Sequence, residues 1–230
     1  MTIFRYALIK GLRHPVTLIL NCIAPIALAL IRPLWTGEQF LSGFGMLLML
    51  IWGGAFLMAQ GTLNDKATGA IVRILAAPVS MRQYLTQNLL AYMVPLTLQV
   101  LLISILGTIL YGWSLTLALG LFVCYTIFTV ASVTLSFAWN CLFKSKESSF
   151  STFSALLTFG IVLSGAILPL EIMPTALQYL GTIFPAYWAI RAIDALVSIG
   201  SMNSDYILGI LAMILFSFIF LLYGGKRRMV

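Results

Sequence analysis

The stretch TQNLLAYMVPLTLQVLLISILGTILY (residues 86–111), the linker Gly112-Trp113-Ser114 and the stretch LTLALGLFVCYTIFTVASVTLSFAWN (115–140) contain no charged side chain. A bilayer core of about 30 Å needs about 20 apolar residues per helix. Each stretch is long enough to cross once, and Tyr111-Gly112-Trp113-Ser114 reads as a tight hairpin carrying an interfacial aromatic. The same criterion applied outward finds four more runs, giving six: 16–34, 42–63, 86–111, 115–140, 150–168 and 205–223. The expected fold is an all-α membrane protein with six transmembrane helices.

Composition agrees. Of the 230 residues 61% are hydrophobic and 8% charged, and mean hydropathy is +1.06. Soluble chains run about 45–50% apolar and about 25% charged. Thirteen basic and six acidic side chains are too few to cover a soluble domain of this size. Disorder is excluded by 15 Phe, 9 Tyr and 5 Trp. The net charge of +7 does not indicate nucleic acid, because the basic residues sit at the ends of apolar runs rather than on one face of a soluble module. Cys22, Cys124 and Cys141 lie within or beside apolar runs, and His14 is the only histidine, so no zinc or other metal site is expected. The cysteines read as small buried hydrophobes.

Orientation follows from the basic residues. With the N-terminus inside, one side collects Arg5, Lys10, Arg13, Lys66, Arg73, Arg82, Lys144, Lys146, Lys226, Arg227 and Arg228. The other collects Arg32 and Arg191. Both termini are therefore expected in the cytoplasm of a multi-pass cell-membrane protein. Trp35, Trp113 and Trp188 then fall near the outer interface and Trp139 near the inner one. Ala27-Leu28-Ala29 resembles a signal-peptide cleavage site, but the run continues to Arg32-Pro33 and five spans follow, so it is read as an anchor that stays.

Residues 1–15 precede the first span. Phe4, Ala7, Leu8, Gly11 and Leu12 share one arc of a helical wheel, with Lys10, Arg13 and His14 opposite and Arg5 at the edge. The pattern fits an interfacial helix in the headgroup plane, and equally a frayed basic terminus. No internal repeat and no soluble insertion is visible, so residues 1–230 form one domain.

Between the second and third spans, residues 64–80 hold a short amphipathic segment. Ile71, Ile74 and Leu75 share a face, with Arg73 on the other. Pro78 ends it, and Ser80 followed by Gln83 is a capping box for the next helix. A short amphipathic helix on a Pro-Val-Ser corner suits docking into a partner's groove; a solvated interfacial loop is the alternative. Farther on, Pro169, Pro174 and Pro185 break residues 169–204 too often for one span, yet the segment is too apolar for a solvated loop. Irregular backbone at membrane depth must be shielded by protein or line a water-filled cavity. Two short outward re-entrant helices are expected, with Arg191 and Asp194 sharing a face and able to pair.

These two segments carry a resemblance. Gly69-Ala70-Ile71-Val72-Arg73-Ile74-Leu75-Ala76-Ala77-Pro78-Val79-Ser80 resembles the cytoplasmic loop of permease subunits of type-2 ABC exporters, with Asp65, Gly69, Arg73, Leu75, Ala76, Pro78 and Ser80 matching. Thr68 and Val72 depart from it, standing where the family often has glutamates. Ser164 to Pro174, and Phe184-Pro185-Ala186-Tyr187-Trp188-Ala189-Ile190-Arg191-Ala192, resemble the family's outer region. The resemblance implies ATPase-coupling residues Asp65, Gly69, Ile71, Arg73, Ile74, Leu75, Pro78 and Ser80. It implies an outer gate or exit at Gly165, Pro169, Glu171, Pro185, Tyr187, Trp188 and Arg191. The bland reading of Glu171, Arg191 and Asp194 is that they anchor the short helices at the interface. It also implies two cytoplasmic ABC ATPase subunits, which carry the ATP and Mg, and a second permease, identical or related.

No GxxxxGK[ST] phosphate loop occurs, since Gly225-Lys226 is followed by Arg227. ATP hydrolysis is thus expected on a separate chain, with no cofactor on this one. Protease and hydrolase motifs are missing, and the spans lack the deep carboxylates or histidines of a proton relay. The function that the resemblance implies is export of a drug, antimicrobial peptide or other amphipathic compound. Alternatives are export of a lipid-linked glycan or glycolipid, a membrane-embedded enzyme, or a non-transporting scaffold. Met46, Met49 and Met58 with Phe44 and Phe56 line the second span as a pathway or as packing, and Ser132 and Ser136 form a small-residue pair.

Overall fold

The computed structural model describes residues 2–13, 15–36, 43–76, 80–200 and 202–226. In chain order the helices are α1 (Thr2–Arg13), α2 (Pro15–Leu18), a π-turn (Ile19–Ile23), α3 (Ala24–Leu30), α4 (Pro33–Thr36), α5 (Gly43–Ala67) and α6 (Ala70–Leu75). They continue with α7 (Met81–Tyr111), α8 (Leu115–Asn140), α9 (Lys146–Leu163), a 3-10 turn (Leu170–Ile172), α10 (Thr175–Gly181), α11 (Pro185–Ile199) and α12 (Ser204–Lys226). No strand occurs among the described residues.

Among the described residues, four helices are long and apolar enough to cross a membrane: Gly43–Ala67, Gln83–Tyr111, Leu115–Asn140 and Ser204–Gly224. These correspond to the second, third, fourth and sixth expected spans. Six is reached if each of two bent helix pairs counts as one span. The hairpin between α7 and α8 forms as its residues require. Gly112 takes a left-handed conformation (φ +67°) to close α7, and the Ser114 hydroxyl accepts the Leu117 N–H at 3.2 Å to open α8.

The first run, expected as one span over 16–34, is interrupted. Pro25 has no N–H for the Asn21 carbonyl, and its ring would crowd that carbonyl in an α-helix. The chain widens there into the π-turn, and the Ala24 N–H bonds back to the Ile19 carbonyl. The helix stops at Ile31. Residues 15–30 thus give about 24 Å of rise, short of a full crossing. The fifth run is shifted rather than broken. Ser145 caps α9 by accepting the Ser148 N–H at 3.2 Å, and Gly165 (φ +86°) follows its end, so the helix covers 146–163 instead of 150–168.

Helix α8 is the central post, with α12, α5, α7 and α11 packed around it. Lipid tails are as apolar as leucine, so such contacts depend on small residues that let backbones approach. Gly120, Ala131, Ser132, Ser136 and Ala138 are all buried on α8, so the small pair lies inside the packing. At the end of the bundle where α10 lies, Trp35, Phe44, Tyr111 and Trp113 form an aromatic cluster, with Trp35 and Trp113 centroids 5.4 Å apart. The Trp35 indole donates to the Leu28 carbonyl at 2.9 Å. At the opposite end, where α6 lies, the Trp139 indole donates to the Ser149 carbonyl at 3.4 Å.

Helix α1 meets the 15–30 stretch at 88° and lies along α7. Ala7 is buried there, and the Phe4 N–H donates to Gln87 Oε1 at 3.1 Å. Lys10 does not point away as the wheel placed it. It lies at the edge of the packed face and turns inward, because a buried carboxylate on α5 supplies its partner.

Candidate functional site

At the α6 end, α5 continues four residues beyond the expected boundary and carries Asn64, Asp65 and Lys66 as helix. Asp65 is 6% exposed. One carboxylate oxygen is ion-paired with Lys10 Nζ; the other accepts the Tyr84 hydroxyl at 2.9 Å. Lys10 also donates to the Gly61 carbonyl at 3.2 Å. Burying an unpaired carboxylate is costly, so this clasp is what allows Asp65 inside. It ties α1, α5 and α7 together directly before α6. Sequence reading placed Asp65 in the coupling loop and missed Lys10 and Tyr84 as its partners. The available signal was an acid at the end of an otherwise uncharged run.

The turn Thr68-Gly69 leads into α6. The Thr68 hydroxyl donates to the Asn64 carbonyl at 2.8 Å, and Gly69 has φ +67°, a conformation that costs glycine nothing. On α6, Ile71 is 2% exposed and packs with Tyr84, flanked by Ile3, Ile74, Leu85 and Cys141, while Arg73 is exposed. Ser80 caps α7 by accepting the Gln83 N–H at 3.2 Å. Pro78 lies outside the described residues, as does the side chain of Leu75. Asp65, Ile71, Ile74 and Ser80 thus gather at one end of the bundle, with Arg73 facing outward.

At the other end, Gly165 and Pro169 lead into the 3-10 turn that contains Glu171, whose side chain is outside the described residues. The Gln178 amide donates to the Leu170 and Met173 carbonyls, both at 2.9 Å, tying α10 to that turn. Helices α10 and α11 meet at 101°. Pro185 begins α11, where a missing N–H is harmless, and the Trp188 indole donates to the Thr182 carbonyl at 2.9 Å. Tyr187 and Trp188 pack edge to face. Arg191 is ion-paired with Asp205 Oδ1 on α12, at 3.1 Å. Helices α11 and α12 are packed neighbours, which brings that carboxylate within reach. Two contacts fix the segment. A Cβ on Gly45 would lie 2.1 Å from the Ala166 carbonyl oxygen, and one on Gly181 would lie 2.3 Å from that of Leu163.

A family model described as an ABC-2 family transporter protein matches residues 35–225. The chain belongs to the ABC-2 transporter family. The match runs from just before α5 into α12, so it takes in α6 and the bent α10–α11 pair. No curated protein matches the chain. An ABC-2 permease is a multi-pass membrane transport component; it works with ABC ATPase components and is not itself the ATPase.

Proposed function

We propose that this ABC-2 permease exports an amphipathic compound, a drug or antimicrobial peptide, driven by two cytoplasmic ATPase subunits and paired with a second permease chain. The α6 end is the cytoplasmic one, with both termini there, and α1 lies in the inner headgroup plane. Six crossings result if 15–36 and α9 join the four long helices.

The observation that carries this reading is the α5–Gly69–α6 arrangement. Helix α6 presents Arg73 outward while Ile71 anchors it to the bundle. A displacement of α6 by the ATPase passes to α5 through the short Thr68-Gly69 turn. The Lys10–Asp65–Tyr84 clasp then carries it to α1 and α7. The transport path is inferred to lie along α9, whose exposed face holds Ser148, Ser151, Thr152 and Thr158. A hydroxyl-rich helix face suits a polar path beside a second chain better than lipid. The bent α10–α11 pair caps the outer exit.

The test is Arg73→Glu. An exposed substitution changes stability by about 0.5 kcal/mol or less, so the variant should reach the membrane at wild-type level. It should lose substrate-stimulated ATP hydrolysis and export. Full coupling in Arg73→Glu refutes the docking role.

A further inference from the structure

A cleft of about 570 Å³ lies at the α6 end, walled by α5, the α1–α2 elbow and the start of α9, with Tyr92 of α7 also on its lining. That volume is within the roughly 300–1,000 Å³ of small-molecule sites, which are mainly apolar with a few placed polar groups. Its two long walls change character in the same direction. Along α5 the lining passes from Asn64 to Leu57, and along α9 from Lys146 and Glu147 to Phe150. Helix α5 ends, and α9 begins, at the same end of the bundle. The polar end of both walls therefore faces out of the bundle, and the apolar end faces its middle. This is the polarity of one amphiphile seated with its head at the membrane surface and its chain alongside the spans.

The charges narrow the head. Lys10 is already neutralised by Asp65 and bonded to the Gly61 carbonyl. Among the described residues, the exposed charges left on the lining are Lys146 and Glu147, adjacent and opposite in sign. A head with a single negative charge gains Lys146 but meets Glu147. A head carrying both a phosphate and a primary ammonium satisfies each. Val16 and Phe150, each about half exposed at 47% and 51%, supply apolar surface for the chain. The geometry points to a binding site for a zwitterionic aminophospholipid, or an amphiphile with the same head, between the α1–α2 elbow and α9. The site is independent of the export reading and is tested on binding alone.

The experiment titrates the purified full chain with phosphatidylethanolamine or phosphatidylglycerol of matched chains, counting bound lipid by native mass spectrometry. The wild type should bind phosphatidylethanolamine in preference. Lys146→Glu should weaken that binding by about thirtyfold, since each basic side chain near a headgroup contributes roughly fivefold and a reversal counts twice. Glu147→Lys should turn the preference to phosphatidylglycerol. Leu57→Trp, filling the cleft, should lose both lipids; if it fails to fold, Val16→Trp at the exposed rim serves instead. Lys144→Glu, exposed but outside the lining, should change nothing. Equal binding of both lipids by the wild type overturns the site. So does a Lys144→Glu effect as large as that of Lys146→Glu, which would mark general surface electrostatics. Retention of lipid with the cleft filled also overturns it.

Discussion

Replacing Lys10 by methionine keeps the bulk of the side chain and removes its charge. Asp65 is then left buried, with the Tyr84 hydroxyl as its remaining bonded partner among the described residues. Breaking a buried ion pair from one side costs about 3–5 kcal/mol. The Lys10 side chain is 26% exposed, against 8% for Asp65, so part of the attraction is screened and about 2–3 kcal/mol is expected for Lys10→Met. In a chain of this length 1 kcal/mol moves the midpoint by about 2–4 °C, so a fall of roughly 5–10 °C should appear in detergent thermal unfolding. Asp65→Asn should cost less, about 1 kcal/mol, because the released ammonium is near water and can rehydrate. The double variant should be milder than the sum of the singles by about 1–2 kcal/mol, the mark of a direct pair. A Lys10→Met midpoint within 1 °C of wild type, or strict additivity in the cycle, refutes the clasp.

Other tests address the rest of the molecule. In a background lacking Cys22, Cys124 and Cys141, cysteines at Lys144 and Tyr179 should be labelled from opposite sides of the membrane, Lys144 from the cytoplasm; same-side labelling refutes the orientation. Gly45→Ala forces a methyl against the Ala166 carbonyl and should cost about 1–3 kcal/mol, seen as a lower unfolding midpoint at unchanged insertion. Tyr84→Phe removes one hydrogen bond to a carboxylate and should cost about 1.5–3 kcal/mol in the same assay, with Tyr179→Phe, 73% exposed, as the silent control.

The long spans were legible because hydropathy and helix length coincide where no charge intervenes, as in α7 and α8. Their shared hairpin was legible because Gly112 and Ser114 cap locally. The end of α5 was not. Hydropathy stops at the first charge, whereas backbone hydrogen bonding continues through Asp65 once Lys10 and Tyr84 receive it. The interrupted first run was hidden for the opposite reason. Its composition is apolar throughout, and only the geometry of Pro25 against the Asn21 carbonyl opens the π-turn. At the candidate site, the outward Arg73 and inward Ile71 followed from spacing along one short helix. The Arg191–Asp205 pair did not, since spacing compares residues on the same helix and Asp205 arrives from the next one.

The aromatic cluster at the α10 end gives the protein an optical marker of its own. Trp35 and Trp113, 5.4 Å apart and tilted by 60°, are close enough to couple their strong ultraviolet transitions. They belong to the end of the first run and to the α7–α8 hairpin, so the coupling depends on how those two pieces sit against each other. A circular-dichroism couplet lost in Trp113→Phe would assign the signal. It could then be followed in real time as nucleotide is added to the assembled transporter, reporting rearrangement at the far end of the bundle without any attached dye.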